Sequence, residues 1–309
     1  MTNKLLIICV GGVVLDRIFY VKALPNGSGK SVATDFVERG GGMAATAAAA
    51  IAALGAQAAL WARVGDDPTG RATLSELERA GVDISHMRIC AGGRTATSTV
   101  QIDRNGDRAL TNFGGHLPED VTHFDTAALS SAAAVLGDVR WAAGSRRAFS
   151  EARARGIPTV LDADAGSANE LPDLVRLAAH SVFSKQGLSE LTGETSPGAG
   201  LAAAARLAPP DAVLGVTLGE QGSLWLLGGR TFEVPAAPVE AINTNGVGDV
   251  FHGAYALGVA EGKTTLAAAR LASAVAACKC IDPRGWDGMP SRSSCEMLLA
   301  AALPPADQS

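Results

Sequence analysis

Apolar positions along the chain fall into two regimes. Leu5 to Val10 is an unbroken apolar run, the pattern of a strand covered on both faces of a sheet. Two extended segments follow, near Arg17 to Val21 and Ser31 to Glu38. The second alternates, with Val32, Thr34, Phe36 and Glu38 on one side and Ala33, Asp35, Val37 and Arg39 on the other. That pattern predicts a small sheet with at least one wet face. Gly40-Gly41-Gly42 opens a predicted helix from Met43 to Leu54; Gln57 to Arg63 reads as a strand, and Asp67 to Ala80 as an amphipathic helix stopped by Gly81. Ala96 to Asp103 and Arg108 to Phe113 flank Asn105-Gly106, a hairpin signal because both residues tolerate positive φ.

From about residue 125 strands and helices alternate regularly. Strands are predicted at Ala133 to Leu136, Thr159 to Leu161, Val182 to Ser184 and Val213 to Thr217, the last forming a hairpin with Ser223 to Leu226. Helices are predicted near Ser145 to Arg155, near Leu171 to Ala179 and after Ser184, and two alanine-rich helices come last. Such alternation predicts an α/β fold in three layers, α/β/α, around a mostly parallel sheet. With no internal repeat and no low-complexity linker, residues 1–309 read as a single domain. A small β-sheet lid is expected from about residues 12–39 and 95–115.

Composition narrows the function classes. Hydrophobic content of 47% with 18% charged residues is that of a globular protein. A formal charge of -5 without a basic run argues against nucleic acid as a partner. Lys4 and the apolar run Leu5 to Leu15 imitate a short secretory leader, but Asp16-Arg17 follows with no small-residue cleavage site, so a buried strand accounts for it. No other stretch suggests a membrane span, and a cytoplasmic protein is expected. The five cysteines, Cys9, Cys90, Cys278, Cys280 and Cys295, lack a repeated spacing and read as reduced, buried thiols rather than a metal site.

Two phosphate-loop patterns are decoys. Gly27-Ser28-Gly29-Lys30-Ser31 imitates the end of a nucleoside-triphosphate loop, but Leu24 stands where its first glycine belongs and a strand follows. Gly40-Gly41-Gly42-Met43-Ala44-Ala45 matches the permissive dinucleotide pattern, but the strand before it carries Asp35, Glu38 and Arg39. A nicotinamide-dependent oxidoreductase is therefore the weaker enzyme class. The three glycines still let a ligand approach backbone amides at a helix start.

The richest stretch is Asn243-Thr244-Asn245-Gly246-Val247-Gly248-Asp249-Val250-Phe251-His252-Gly253-Ala254. Two glycines spaced by one residue can turn successive N–H groups toward one point, and the helix that begins there adds its positive end. Asp249, in or beside the first turn, is expected to stay ionised. An anion cradle beside an ionised base suits phosphoryl transfer to an alcohol. A plain capping aspartate after a glycine turn fits the spacing equally well.

Thr244-x-Gly246-x-Gly248-Asp249 resembles the C-terminal signature of the PfkB (ribokinase-like) carbohydrate kinases, with Asn243 in place of an acid and Val247 in place of alanine. The resemblance extends over nearly the whole chain, through Asp16, Gly40-Gly41-Gly42, Gly65-Asp66-Asp67 with Gly70, and Thr217-Leu218-Gly219 before Gly222. It implies a ribokinase-like fold, ATP as co-substrate with Mg2+, and Asp249 as catalytic base. It implies an anion hole at Gly246, Val247 and Gly248, sugar contacts from Asp16, Gly41 and Gly42, and ATP contacts from Thr217, Gly219 and Gly222. A homodimer through the lid is expected on the same ground. Two family features are missing: Ala45 stands where asparagine is usual, and Ser184-Lys185-Gln186-Gly187 replaces the N-x-x-E motif linked to magnesium.

Asp16-Arg17-Ile18-Phe19-Tyr20-Val21, Ser28-Gly29-Lys30, Asp138-Val139-Arg140-Trp141 and Gly248-Asp249-Val250-Phe251-His252-Gly253-Ala254 resemble the sulfofructose kinase branch. That resemblance implies 6-deoxy-6-sulfofructose as acceptor, phosphorylated at its 1-hydroxyl, with Lys30, Asn112 and Arg140 on the sulfonate. Two cations and an amide donor suit any three-oxygen anion, so fructose 6-phosphate remains a rival. The plainer readings are an Arg140–Asp138 salt bridge and an exposed Lys30. Asp162 and Asp164 point to the same sheet edge, and His252 reads as a packing residue. A sugar-binding pseudokinase is the non-enzyme alternative, opposed by the presence of Asp249, Gly246 and Gly248.

Overall fold

The computed structural model describes residues 4–25, 27–28, 30–167 and 169–302. In chain order its strands begin with β1 (Leu6–Val10), β2 (Val14–Val21), β3 (Ala33–Gly41), β4 (Gln57–Trp61), β5 (Arg63–Gly65), β6 (Arg88–Cys90), β7 (Thr97–Ile102) and β8 (Arg108–Phe113). They continue with β9 (Ala134–Asp138), β10 (Thr159–Ala163), β11 (His180–Ser184), β12 (Val213–Thr217), β13 (Ser223–Leu227) and β14 (Arg230–Val234). The helices are α1 (Met43–Ala53), α2 (Pro68–Arg79), α3 (Ala142–Ala154), α4 (Leu171–Leu177), α5 (Lys185–Thr192), α6 (Pro197–Ala204), α7 (Val247–Ala260), α8 (Thr265–Cys280) and α9 (Arg292–Ala302).

The main sheet runs β14-β13-β12-β11-β10-β9-β1-β4. It is parallel from β12 to β4, and the β12-β13-β14 edge is antiparallel. Its central strands are buried on both faces, as their continuous apolar runs require. One face packs an alanine-rich layer from α1, α7 and α8; the other packs α3 to α6 around Phe149, Leu174, Leu188 and Leu201. Small residues bring the helices close: a Cβ on Gly253 of α7 would stand 2.6 Å from Ala47 O of α1. A second sheet, β3-β2-β7-β8, has β2 and β7 parallel and both outer pairs antiparallel. These strands fall largely within the two segments expected to make a lid, although β3 runs on to Gly41. β3 is an edge strand, and only its end at Gly40 and Gly41 is buried.

Two expectations need correction. The β7–β8 hairpin forms, but not through Asn105 at positive φ, since only Gly106 adopts it, at 85°. The loop has five residues, and the Asp103 carboxylate accepts from Asn105 N at 2.8 Å and Asp107 N at 3.0 Å, closing the turn without left-handed Asn. A third helix, α9, follows the two alanine-rich ones and packs on α8. Its polar start, Arg292-Ser293-Ser294, hides the helical period. The thiols are free, but Cys278 and Cys280 are half-buried rather than buried. No helix of the described residues is long and apolar enough to cross a membrane.

Candidate active site

The residue after the carboxyl end of β10, the starts of α1 and α7, the end of α8 and the inner face of the small sheet line a cleft of about 340 Å³. Open α/β sheets collect ligands at this edge. Asp138, at the end of β9 and fully buried, organises the floor. Its Oδ2 accepts from Gly12 N at 2.8 Å and Ala44 N at 2.9 Å, and its Oδ1 from Arg140 N at 2.7 Å. One carboxylate thus joins the turn after β1 to the start of α1. Gly11 must be glycine, because a Cβ there would meet that carboxylate at 2.2 Å.

Gly246, at φ 70°, is the residue before α7, and no side chain caps this helix. Asp249 is therefore not a capping aspartate; it lies in the first turn and lines the cleft. Its Oδ2 would be 3.8 Å from a Cβ built on Gly246, so the carboxylate stands over the glycine turn. Nothing lies within 4 Å of a Cβ built on Gly248, which leaves its backbone open to the cleft. Asp249 keeps some exposure there, yet its carboxyl is enclosed by protein. That burial, with the charges of Asp162, Asp138 and Asp164, pushes its pKa well above the carboxylate range, against the opposing pull of His252. The expectation of a readily ionised Asp249 is thus overturned: desolvation and three neighbouring acids outweigh the helix end.

Asp16 of β2 lines the same cleft, and burial raises its pKa while the Ser98 and Asn245 side chains, hydrogen-bonded to it, oppose the rise. Gly41 and Gly42 are forced by close approach: a Cβ on Gly41 would meet Asp16 Oδ2 at 2.6 Å, and one on Gly42, at φ 97°, would meet Gly12 O at 2.6 Å. Gly40 lies under the ring of Trp286, whose Nε1 donates to Thr46 Oγ1 at 3.1 Å. Arg108 at the start of β8 donates to Thr244 Oγ1 at 3.1 Å, joining the small sheet to the loop before α7.

The expected anion set is only partly assembled. Asn112 lines the cleft, whereas Lys30 is exposed and outside its lining, and Gly29 lies outside the described residues. Arg140 does not bridge to Asp138, which is occupied by backbone N–H groups; its guanidinium pairs with Asp164 at 2.9 Å, and Asp164 lines the cleft. Sequence reasoning missed two other cations on the wall, Arg39 and Lys279, and the amides Asn243 and Asn245. Arg39 alternates as a polar residue in a strand and Lys279 sits in an alanine-rich helix, so neither carried a signal. Lys279 is only 3% exposed, and its Nζ donates to Asp282 O at 2.6 Å.

The expected nucleotide residues stand farther along the sheet edge. Thr217 ends β12 beside Ser184 of β11. Gly219 takes φ 63° with open space above it, whereas Gly222, at φ 87°, has no room for a Cβ, which would meet Val234 O at 2.1 Å. Close packing thus requires glycine at position 222. Ser184, at the position of the missing N-x-x-E asparagine, caps α5 by accepting from Gly187 N at 3.0 Å. Among the described residues no three His, Cys, Asp or Glu side chains cluster to hold a metal ion.

A glycine turn at a helix start, a carboxylate over it and a second acid across the cleft agree with one family model, described as pfkB family carbohydrate kinase, which matches residues 4–290. The chain belongs to that family. It is 28% identical to the ribokinase of Bacillus subtilis over 298 residues, 95% of this chain and 99% of the relative. It is 30% identical to the fructokinase of Klebsiella pneumoniae over 256 residues, 78% of this chain and 81% of the relative. The crystal structure of a candidate ribokinase from Agrobacterium tumefaciens superposes with a TM-score of 0.91 at 36% identity, covering 97% of this chain and 98% of that one. This pfkB-family protein is an ATP-dependent sugar kinase with a ribokinase-like fold.

Proposed function

We propose that this kinase transfers the γ-phosphoryl group of MgATP to the 1-hydroxyl of an anionic ketose, 6-deoxy-6-sulfofructose. The observation that carries the chemistry is the Asp249 carboxylate poised over the Gly246 turn at the start of α7, in one cleft with Asp16. In this reading Asp16 and the backbone at Gly41 and Gly42 hold the sugar, and Thr217 and Gly219 lie along ATP. Asp249 takes the proton of the acceptor hydroxyl as its oxygen bonds to the γ-phosphorus. The bond from that phosphorus to the β-phosphate oxygen breaks, ADP leaves, and N–H groups at Gly246, Val247 and Gly248 face the transferred charge. Bound magnesium would offset phosphate charge, and no residue is assigned to it.

Asn112 on the wall and Arg140, paired with the cleft-lining Asp164, support an anionic end on the acceptor, with Lys30 closing over it when the small sheet acts as a lid. A second reading, a neutral ketose or pentose, is favoured by the pairing of Arg140 with Asp164, which spends the guanidinium inside the protein. It also agrees with the names of the ribokinase and fructokinase relatives. Phe36 of the small sheet, 46% exposed, and Val32 just before β3, 75% exposed, support a homodimer formed through it. Free thiols and ATP as co-substrate support a cytoplasmic setting.

The test is ADP release with MgATP against sulfofructose, fructose 6-phosphate, fructose and ribose at equal concentration. Preference for sulfofructose supports the assignment. Preference for fructose 6-phosphate keeps the anion pocket and replaces the substrate, and activity confined to neutral sugars removes both. Arg140→Ala should weaken anionic acceptors at least about tenfold more than neutral ones, as expected for loss of a charge-assisted bond. Equal losses for both would count against the anion pocket.

A further inference from the structure

His252, on α7 one turn after the anion-hole segment, is 3% exposed. Its Nδ1 lies 2.7 Å from Gly248 O and its Nε2 3.1 Å from Val182 O of β11. A carbonyl oxygen can only accept. A neutral imidazole carries one N–H and one lone pair, so in either tautomer a bare nitrogen would face a carbonyl lone pair at hydrogen-bonding distance. Only the imidazolium donates on both sides. A carboxylate stands ready as counter-ion: Asp162 Oδ2 of β10 is buried, makes no hydrogen bond and lies 3.3 Å from Nδ1. A protonated Asp162 donating to a bare Nδ1 would not relieve the conflict, because Gly248 O would still face that lone pair.

We propose that His252 is a positioning residue held as the imidazolium, which ties the anion-hole turn to β10 and β11 and supplies the buried positive charge beside Asp249. The second half of this rests on Asp249 being the base. Neighbouring elements supply the remaining charge. Asp249 lies on the same helix, Asp162 on β10 and Asp164 just beyond it, and Asp138 on β9. Arg140 is already paired with Asp164, and Lys279 of α8 lines the cleft. Cys9 of β1 is a buried thiol with its pKa pushed up, and His180 of β11 is bonded to Tyr255 Oη at 2.9 Å. The face offered by α1 carries no titratable side chain. Burial, the largest influence, leaves the pKa of His252 lowered overall, although Gly248 O, Asp249 and Val182 O pull it up; the charged form is inferred from the geometry. The short contacts at both nitrogens favour the charged form geometrically, because neutralising the ring removes a hydrogen bond and creates a repulsion in its place.

Histidine-selective 15N spectra of the whole protein test the charge state, and with five histidines the His252 signals are assigned by their loss in His252→Asn. Both ring nitrogens should report as protonated at pH 7.5. One protonated and one bare nitrogen would overturn the proposal, and the charge state itself is read on the wild-type protein. His252→Asn should also move the acid limb of the kcat/KM profile upward by about one pH unit, with little change in KM, because an opposite charge beside a carboxylate is lost. An unmoved limb in a variant of wild-type Tm would sink the link to Asp249. If Asp249→Asn keeps normal turnover, the base assignment fails while the 15N result still decides the charge on His252.

Discussion

A buried carboxylate serves as a base only if it can still lose its proton at working pH. Asp249 is pushed upward by burial and by Asp162, Asp138 and Asp164, and is drawn back by His252. The sign of its pH dependence follows. Asp249 must be ionised to accept the hydroxyl proton, so kcat/KM should fall as pH drops through its raised pKa, with the acid limb above the ordinary carboxylate range of about 4. A limb at or below that value would place the base elsewhere. Asp249→Asn should retain sugar and ATP binding by calorimetry and lose about 10²–10⁴-fold in turnover, the usual contribution of a positioned general base. Asp138 plays a different part, since its buried oxygens take three backbone N–H groups. Asp138→Asn turns an NH2 group toward one of those donors, and should cost at least about 2 kcal/mol in chemical denaturation.

At the scale of elements, the start of α7 separates catalysis from packing within seven residues. Gly248 has open space where a Cβ would stand, whereas Gly253 has the Ala47 carbonyl at 2.6 Å. Gly248→Ala should therefore leave Tm unchanged or slightly raised, as alanine favours a helix, while the methyl group intrudes on the cleft and lowers kcat by about tenfold or more. Gly253→Ala should do the reverse, prising α1 from α7 at a cost of about 1–3 kcal/mol, with residual activity in proportion to folded protein. A loss of Tm in the first variant, or none in the second, would reverse these assignments. The sequence made the glycines visible but not the difference between them, because spacing says nothing about which side of a helix faces another helix. The same limit hid Arg39 and Lys279, and made Lys30 and Arg140 look equivalent, when Arg140 is paired with the cleft-lining Asp164 and Lys30 is exposed outside the lining. What was legible was periodic: continuous apolar strands, alternation in β3, and glycine-opened helices. The charge state of Asp249 was not, because it depends on three acids brought from two other strand ends by the fold.

The whole molecule has two sheets with opposite needs. The main one is covered on both faces by helices, and its edge strands are β14 and β4. The small one turns its inner face to the cleft and leaves apolar side chains outward: Val32 just before β3 is 75% exposed, and Phe36 of β3 packs its ring 4.8 Å from Phe19 of β2 while still 46% exposed. Apolar groups grouped on a thin sheet lose less surface to water if a second sheet covers them, and a two-fold pair of identical faces is the simplest cover. The same sheet holds Asp16 and Asn112 over the cleft and is joined to the loop before α7 by Arg108. Covering its outer face should therefore steady the sugar side of the site as well as bury surface. Phe36→Ser combined with Val32→Ser should convert a dimer to a monomer in sedimentation velocity, without lowering the Tm of the main sheet. It should raise KM for the sugar several-fold while leaving KM for ATP nearly unchanged, because Thr217 and Gly219 belong to the other end of the main sheet. A wild-type protein that sediments as a monomer at micromolar concentration would remove the dimer, and an equal rise in both KM values would show that the small sheet does not act on the sugar alone.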